Sequence, residues 1–314
     1  MARNSDNQDA VTRGRPPGGA GARLLIVDGH AFAYRAYHAI QRLTSPSGAP
    51  TNAIYGFVKM LVKMQSRLHP THQVVIWDGG LAVERLAALP EYKAQRPPMP
   101  AGLEQQLTGI CEYLTAAGVA WRMREGVEAD DWIAALARAA ATAGIQVVIA
   151  SSDKDFMQLV SEQVGLLNPT DKSETIWGAG QVRAKTGVEP SQVVDWLSLI
   201  GDVVDNIPGV PGVGPKTASE LMRQFGSVAG VFARLDEVKS PLLRERLRTA
   251  EPQVKRNQGL IRLKEAPPEE CKLADLAVGS GNTGQLRRLY AGWGFRTLLS
   301  ELEGGSLLRQ GDLF

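Results

Sequence analysis

Three short stretches of the chain are apolar without alternation: Leu24 to Val27, Val74 to Trp77 and Val147 to Ala150. Strands covered on both faces read this way, so the pattern predicts buried strands over 23–28, 73–78 and 145–150. Two helical stretches, about 30–40 and 52–68, separate the first pair, and an Ala-rich helix over 129–143 leads into the third. Strand and helix alternating at this spacing predict an α/β fold with a parallel sheet and crossover helices. The working site of such a sheet lies beyond the carboxyl ends of its strands. The first two strands end in Asp28 and Asp78, and the third runs into Ser151-Ser-Asp-Lys-Asp155.

The segment 79–102 breaks this rhythm, with Gly79-Gly80 at one end and Arg96-Pro-Pro-Met-Pro100 at the other. It is too long and polar for a simple connection, and loops of that length are usually functional. Past residue 187 the pattern turns to helices and Gly/Pro turns, which places a module boundary near 186 and a second module over 187–302. Residues 241–264 and 283–302 read as helical. The polar stretch 1–22 and the segment 303–314 are expected to be flexible tails.

Hydrophobic residues make up 44% of the 314 and charged residues 22%, which excludes a wholly disordered or fibrous chain. No apolar run is long enough to span a bilayer and residues 1–22 lack the apolar core of a secretory signal, so the expectation is a cytoplasmic protein with no membrane partner. Cys111 and Cys271 stand far apart, which argues against a disulfide framework or a cysteine zinc site.

Nine acids are expected near the strand edge: Asp28, Asp78, Glu128, Asp130, Asp131, Asp153, Asp155, Asp202 and Asp205. An N-cap accounts for one or two acids of Glu128-Ala-Asp-Asp131, and turn chemistry accounts for Asp153, Asp155, Asp202 and Asp205 taken singly. Together they would repel one another strongly unless cations neutralised them. Oxygen ligands without His or Cys select Mg²⁺ or Mn²⁺. His30, His38, His69 and His72 read as surface or core residues. Two divalent ions held by shared carboxylates can activate water and stabilise a leaving oxygen in phosphoryl displacement. The formal charge of +2 hides a consequence of this arrangement. With the nine acids set aside, 35 cationic residues face 24 acids, a surplus suited to a phosphodiester backbone.

Asn206 to Ala218 carries Gly209, Gly212 and Gly214 in an apolar frame, followed by a helix through Phe225. A tight Gly turn that exposes backbone N–H groups at a helix N-terminus can hold phosphate without reading bases. Lys216 can add a contact. An ordinary helical hairpin is the plain alternative.

With these residues in view the chain resembles the bacterial 5′-nuclease family, comprising the 5′→3′ exonuclease domain of DNA polymerase I and related flap endonucleases. The motifs fall in family order over about 23–265: Ile26-Val-Asp-Gly29, Tyr34-Arg-Ala-Tyr-His-Ala39, Tyr92 to Pro100, Gly126 to Asp131, Asp153-Lys-Asp155 and Gly201 to Gly214. The resemblance implies a PIN-like parallel sheet flanked by helices over 23–186, a helical arch at about 79–102 and a helix–hairpin–helix DNA-binding module. It places Asp28, Asp78, Glu128, Asp130 and Asp131 around a first metal. Asp153, Asp155, Asp202 and Asp205 fall around a second, with Asp131 between them. It implies that Lys93 and Arg96 face the scissile phosphate, that Tyr92 stacks on a base, and that a K⁺ ion sits at the hairpin with Gly209, Gly212, Gly214 and Lys216 on DNA. Three features depart from the family pattern: no basic residue stands between Asp78 and Arg85, Ser151-Ser152 replaces a common Gly, and Trp132 replaces a smaller apolar residue.

No polymerase segment follows, so a stand-alone nuclease is expected, and it would need recruitment to DNA. Gln310, Leu313 and Phe314 resemble the short motif by which bacterial replication proteins bind the sliding clamp. The combined expectation is a monomeric, metal-dependent nuclease acting on 5′ flaps, nicks or single-strand/duplex junctions in replication and repair. A non-catalytic scaffold for branched DNA would leave the acids repelling both each other and DNA. A small-nucleotide phosphatase would leave the hairpin and arch without purpose.

Overall fold

The computed structural model describes residues 21–169, 175–264 and 272–311. The chain runs β1 (Arg23–Asp28), α1 (Gly29–Ala39), α2 (Asn52–Leu68), β2 (His72–Ile76), α3 (Val83–Ala88), α4 (Ala101–Ala116), β3 (Ala120–Arg122), α5 (Ala129–Thr142), β4 (Gln146–Ala150), β5 (Val164–Leu167), β6 (Ile176–Trp177) and α6 (Ala179–Thr186). A helical half follows: α7 (Val193–Ile200), the small hairpin of β7 (Gly201–Asp202) and β8 (Ile207–Pro208), α8 (Pro215–Phe225), α9 (Val228–Ala233), α10 (Pro241–Ile261), α11 (Thr283–Trp293) and α12 (Arg296–Gly311).

The main sheet has the order β3-β2-β1-β4-β5-β6, parallel except for the antiparallel edge strand β6. β1 and β4 lie side by side at the centre, with Val27 paired to Ala150, so the acids that follow both strands emerge at one edge. Leu24 and Ile26 point to one face of β1 and Leu25 and Val27 to the other, each fully buried in a separate apolar layer. That two-sided burial is why the strand shows no alternation. β3 and β5 were not legible as strands, because Ala-Trp-Arg and Val-Gly-Leu-Leu are too short to show a period.

The first layer continues without a break from the sheet into α7, α8 and α10, so the helical half is packed against the sheet half. Asn257 of α10, fully buried, donates to the carbonyls of Ser198 and Pro208, and Gln253 donates to those of Pro208 and Gly209. These amides fix the hairpin from behind. α12 continues as helix through Gly311, beyond residue 302 where the sequence pattern ended it. Leu313 and Phe314 lie outside the described residues, and Gln310 falls in the last turn of α12. No described helix is long and apolar enough to cross a membrane.

Candidate metal and phosphodiester site

Asp28 ends β1 and caps α1. Its Oδ1 accepts the Ala31 N–H at 3.0 Å and its Oδ2 accepts the Ser151 hydroxyl at 2.8 Å. Burial pushes its carboxyl up to about 6, even though both hydrogen bonds favour the charged form. Asp78 follows β2 and accepts the Gly80 N–H at 3.0 Å. Asp153 follows β4 and accepts the Asp155 N–H at 2.8 Å. Asp202 and Asp205 enter from the β7–β8 hairpin, where Asp202 accepts the Val204 N–H and the ammonium of Lys154 at 3.1 Å. A cleft of about 430 Å³ is lined by Asp28, Asp78, Asp130, Asp153, Asp202 and Asp205.

Carboxylate oxygens of Asp155, Asp202 and Asp205 lie within 4.8 Å of one another. Asp155 Oδ1 is buried without a hydrogen-bond partner. The carboxyls of Asp130, Asp153 and Asp155 are all pushed up, first by burial and then by the charges of their neighbours. An unpartnered buried oxygen among mutually repelling acids, with oxygen donors throughout, fits a hard divalent cation.

The structure separates the nine predicted acids into two groups. Glu128 and Asp131 are buried, do not line the cleft, and carry cations supplied by the protein itself. Arg85 grips Asp131 with both terminal nitrogens, at 2.9 and 2.7 Å, and also approaches Glu128 at 3.1 Å. Lys93 Nζ bonds Glu128 at 2.7 Å and stands 3.9 Å from Asp130. Here both carboxylates face protein cations, at positions where the resemblance implies a first metal. Burial alone would raise the Glu128 carboxyl, but the charges of Lys93 and Arg85 outweigh it and hold it low. Likewise burial would lower Lys93, and the fields of Asp130 and Glu128 reverse that and raise it.

The segment 79–102 is not an open helical arch here. It has the short helix α3 and turns over 90–95, and it folds down onto the acids, burying Arg85, Tyr92 and Lys93. Uncompensated carboxylates draw these cations in. Arg96 bonds Asp205 at 2.6 Å. Tyr92 offers no free face to a base: it is 3% exposed, its hydroxyl donates to Glu128 at 3.2 Å, and the Lys93 ammonium lies 4.9 Å from its ring centre. Lys93 has φ +57, a conformation L residues rarely adopt, and its N–H is tied to the Asp205 carbonyl. Such backbone strain costs about 1–3 kcal/mol and persists only where the surroundings impose it. The Gly79 that replaces a side chain after Asp78 has its own cause. Its N–H and carbonyl pair with Val127 and Gly126, and a Cβ there would overlap the Arg124 carbonyl.

Two residues of the site escaped the sequence reading. His30 lines the cleft, and its Nδ1 accepts the Asp78 N–H at 3.1 Å, so it belongs to the site and not to surface or core. The Asp-Gly-His order places it two residues after Asp28, in the first turn of α1, a signal that spacing could have given. Arg85 was seen only as the first base after Asp78. Its partners lie 46 and 175 residues away, and nothing in the local sequence reveals them.

In the helical half, Gly209 is packed so tightly that a Cβ would overlap the Ile200 carbonyl. Gly212 has φ +79. Gly214 caps α8 with open space before it, Pro215 occupies the first turn, and Lys216 is exposed. The result is an exposed helix N-terminus beside a cation, a geometry that accepts phosphate.

A sheet with acids at its central switch point and a Gly-rich helical hairpin defines a nuclease class, and the chain belongs to the 5'-3' exonuclease family. Residues 23–187 match the N-terminal resolvase-like domain of that family, and residues 188–283 match its C-terminal SAM fold. The chain is 36% identical over 289 residues to the 5'-3' exonuclease of Aquifex aeolicus, covering 92% of this chain and 95% of that protein. It is 38% identical over 287 residues to DNA polymerase I of Bacillus caldotenax, covering 90% of this chain and 33% of the polymerase. The chain thus spans about a third of the polymerase relatives it matches. Among solved structures it superposes on the bacteriophage T5 5'-exonuclease with divalent metal ions (zinc) bound, with TM-score 0.64 and 25% identity over 76% of this chain and 89% of that one. The catalytic core of Rad2 in complex with DNA shares the fold, with TM-score 0.60 and 16% identity over 87% and 88% of the two chains.

Proposed function

We propose that this chain is a structure-specific 5′-nuclease that hydrolyses DNA phosphodiesters at 5′ flaps, nicks and single-strand/duplex junctions. The observation that carries the proposal is the single cleft in which six carboxylates from five separate chain segments meet beside Arg96 and Lys154, with Lys93 buried behind Asp130. Asp155, Asp202 and Asp205 would hold one divalent ion, and Asp28, Asp78, Asp130 and Asp153 a second; Mg²⁺ or Mn²⁺ suits these donors. Bound there, such ions supply an activated water and charge neutralisation at the leaving oxygen.

The chain's own residues do the rest. A phosphate entering the cleft competes with Asp205 for Arg96 and with Asp130 and Glu128 for Lys93. Both cations then serve the charge that develops on the phosphoryl oxygens. Tyr92 supports Lys93 from below. The N-terminus of α8 and Lys216 hold the duplex backbone without reading its sequence, with a K⁺ ion at the Gly209–Gly214 turn as a further support for phosphate. His30 accepts the Asp78 N–H and so fixes the backbone that carries that ligand.

The cellular setting that fits is primer removal in replication and repair, in the cytoplasm at the nucleoid, by a monomer. Gln310, Leu313 and Phe314 would dock on the sliding clamp, and deleting residues 310–314 is expected to abolish clamp binding while metal-dependent cleavage persists. The direct test of the nuclease reading is a 5′-end-labelled flap duplex with Mg²⁺, with a metal-free control and Asp153→Asn alongside. Junction cutting by the unaltered protein, and binding without cutting by the variant, is the expected result. Binding without cutting by the unaltered protein under Mg²⁺ and Mn²⁺ would replace the reading with that of a DNA scaffold.

A further inference from the structure

A groove of about 790 Å³ lies next to the acidic cleft, between β3, α4 and α11. His30 stands in the wall of both, and Trp77, the residue before Asp78, lines the groove. The His30 and Trp77 rings meet edge to face at 5.2 Å. The rest of the surface is apolar and partly bare: Trp121 is half-buried and Met123 is 60% exposed. Trp121 is held in place by its indole N–H, which donates to Thr115 Oγ1 at 3.1 Å. The Trp77 indole N–H, by contrast, is buried with no acceptor. The exposed Arg288 supplies a cation at the wall, opposed by the acid Glu112. Apart from His30, none of these residues lines the acidic cleft.

We infer that this groove receives unpaired bases of the 5′ strand as that strand leaves the cleft. The inference rests on the proposed 5′-nuclease function and names a second substrate contact for it. Three features favour a single strand as occupant. Aromatic and thioether surface beside a cation suits base faces, which only unpaired nucleotides expose. The groove shares a wall with the cleft, so a strand passing through the cleft presents its next nucleotides at high effective concentration. The orphan Trp77 N–H is a donor of the kind that base carbonyls and phosphate oxygens satisfy.

The test is fluorescence anisotropy, in EDTA so that no strand is cut, with duplexes carrying no flap, a short oligo-dT flap or a long one. The unaltered protein is expected to bind the long-flap duplex about fivefold tighter or more than the flapless one, a stacking gain on one base. Met123→Glu, at an exposed position that folding does not need, is expected to erase that gain and leave flapless affinity unchanged. Trp121→Ala should erase it too, and Trp121 emission should change with flap addition. Flap-independent affinity in the unaltered protein, or a gain that survives Met123→Glu, would overturn the assignment. So would a concentration-dependent rise in mass that Met123→Glu abolishes, which would give the groove to a second copy of the chain. A flapless nick still cut in Mg²⁺ after such a result would leave the nuclease reading standing. Failure to cut any duplex would remove both.

Discussion

Arg85 and Asp131 form a two-pronged ion pair, at 2.7 and 2.9 Å, that also clamps the end of α10. Arg85 Nε donates to the Leu260 carbonyl, and Asp131 Oδ1 accepts the Lys264 N–H. A guanidinium at a helix C-terminus is favoured by the helix dipole as well as by the carbonyls it meets. The pair is thus a joint between the acidic site and the helical half.

Removing one partner of a buried pair leaves an uncompensated charge and costs about 3–5 kcal/mol. Arg85→Ala is therefore expected to lower thermal stability markedly, and Arg85→Lys to recover only part of it, because an ammonium cannot bridge both oxygens and the carbonyls together. Calorimetric melting of the three proteins checks this; an unchanged midpoint in Arg85→Ala would show that the joint contributes nothing to stability.

Lys93→Ala is expected to slow the chemical step by about 10²–10³-fold, as loss of one preorganised charge does, with only a small change in flap affinity. Single-turnover rates at saturating enzyme separate the two. A variant with weak binding but an undiminished saturated rate would make Lys93 a positioning residue for DNA.

In the metal-free protein Asp155 is a liability, since burial and the charges of Asp153, Asp202 and Asp205 all disfavour its ionised form. Asp155→Asn should raise the metal-free melting temperature and abolish most of the rise that added Mg²⁺ gives the unaltered protein. Equal Mg²⁺-induced shifts in the two proteins would exclude Asp155 as a ligand.

Asp28 gives a pH dependence of known sign. Its folded value, about 6, lies above the ordinary 3.8, so the folded chain holds the proton more tightly than the unfolded chain. In the absence of metal its contribution to stability is fully present below about pH 4 and is lost as pH rises to about 6, a span worth about 3 kcal/mol. Comparing denaturant midpoints of the unaltered protein and Asp28→Asn in EDTA isolates that contribution, which the variant should lack.

Gly209→Ala should weaken binding to nicked duplex, because the added methyl displaces the backbone against Ile200, whereas Gly214→Ala meets open space and should bind nearly normally. Filter binding of the two variants distinguishes a required close approach from a merely flexible turn.

The layout of the site was legible where a local pattern carries it. β1 and β4 announce themselves by unbroken apolar runs, and Asp28 and Asp153 follow because a residue that ends a buried parallel strand reaches the working edge. What the sequence could not show was which charges pay for which. Glu128 and Asp131 sit in the same motif as Asp130, yet one turn of helix turns them toward Arg85 and Lys93 and leaves Asp130 on the cleft. Likewise the spelling around Tyr92 suits an exposed helix face, and only the tertiary arrangement of acids beneath it explains its burial.

The grip of Arg85 on the Leu260 carbonyl bears on the order in which the molecule matures. A chain emerging from the ribosome delivers its last sheet strand, β6, before Asp202 and Asp205 and well before the end of α10, and contacts distant in sequence close late. Until then the early half has its central acids but neither the hairpin carboxylates nor the clamp that seats Asp131. Nascent chains are therefore expected to be silent toward DNA until synthesis has passed residue 264, so that competence arrives in a single late step.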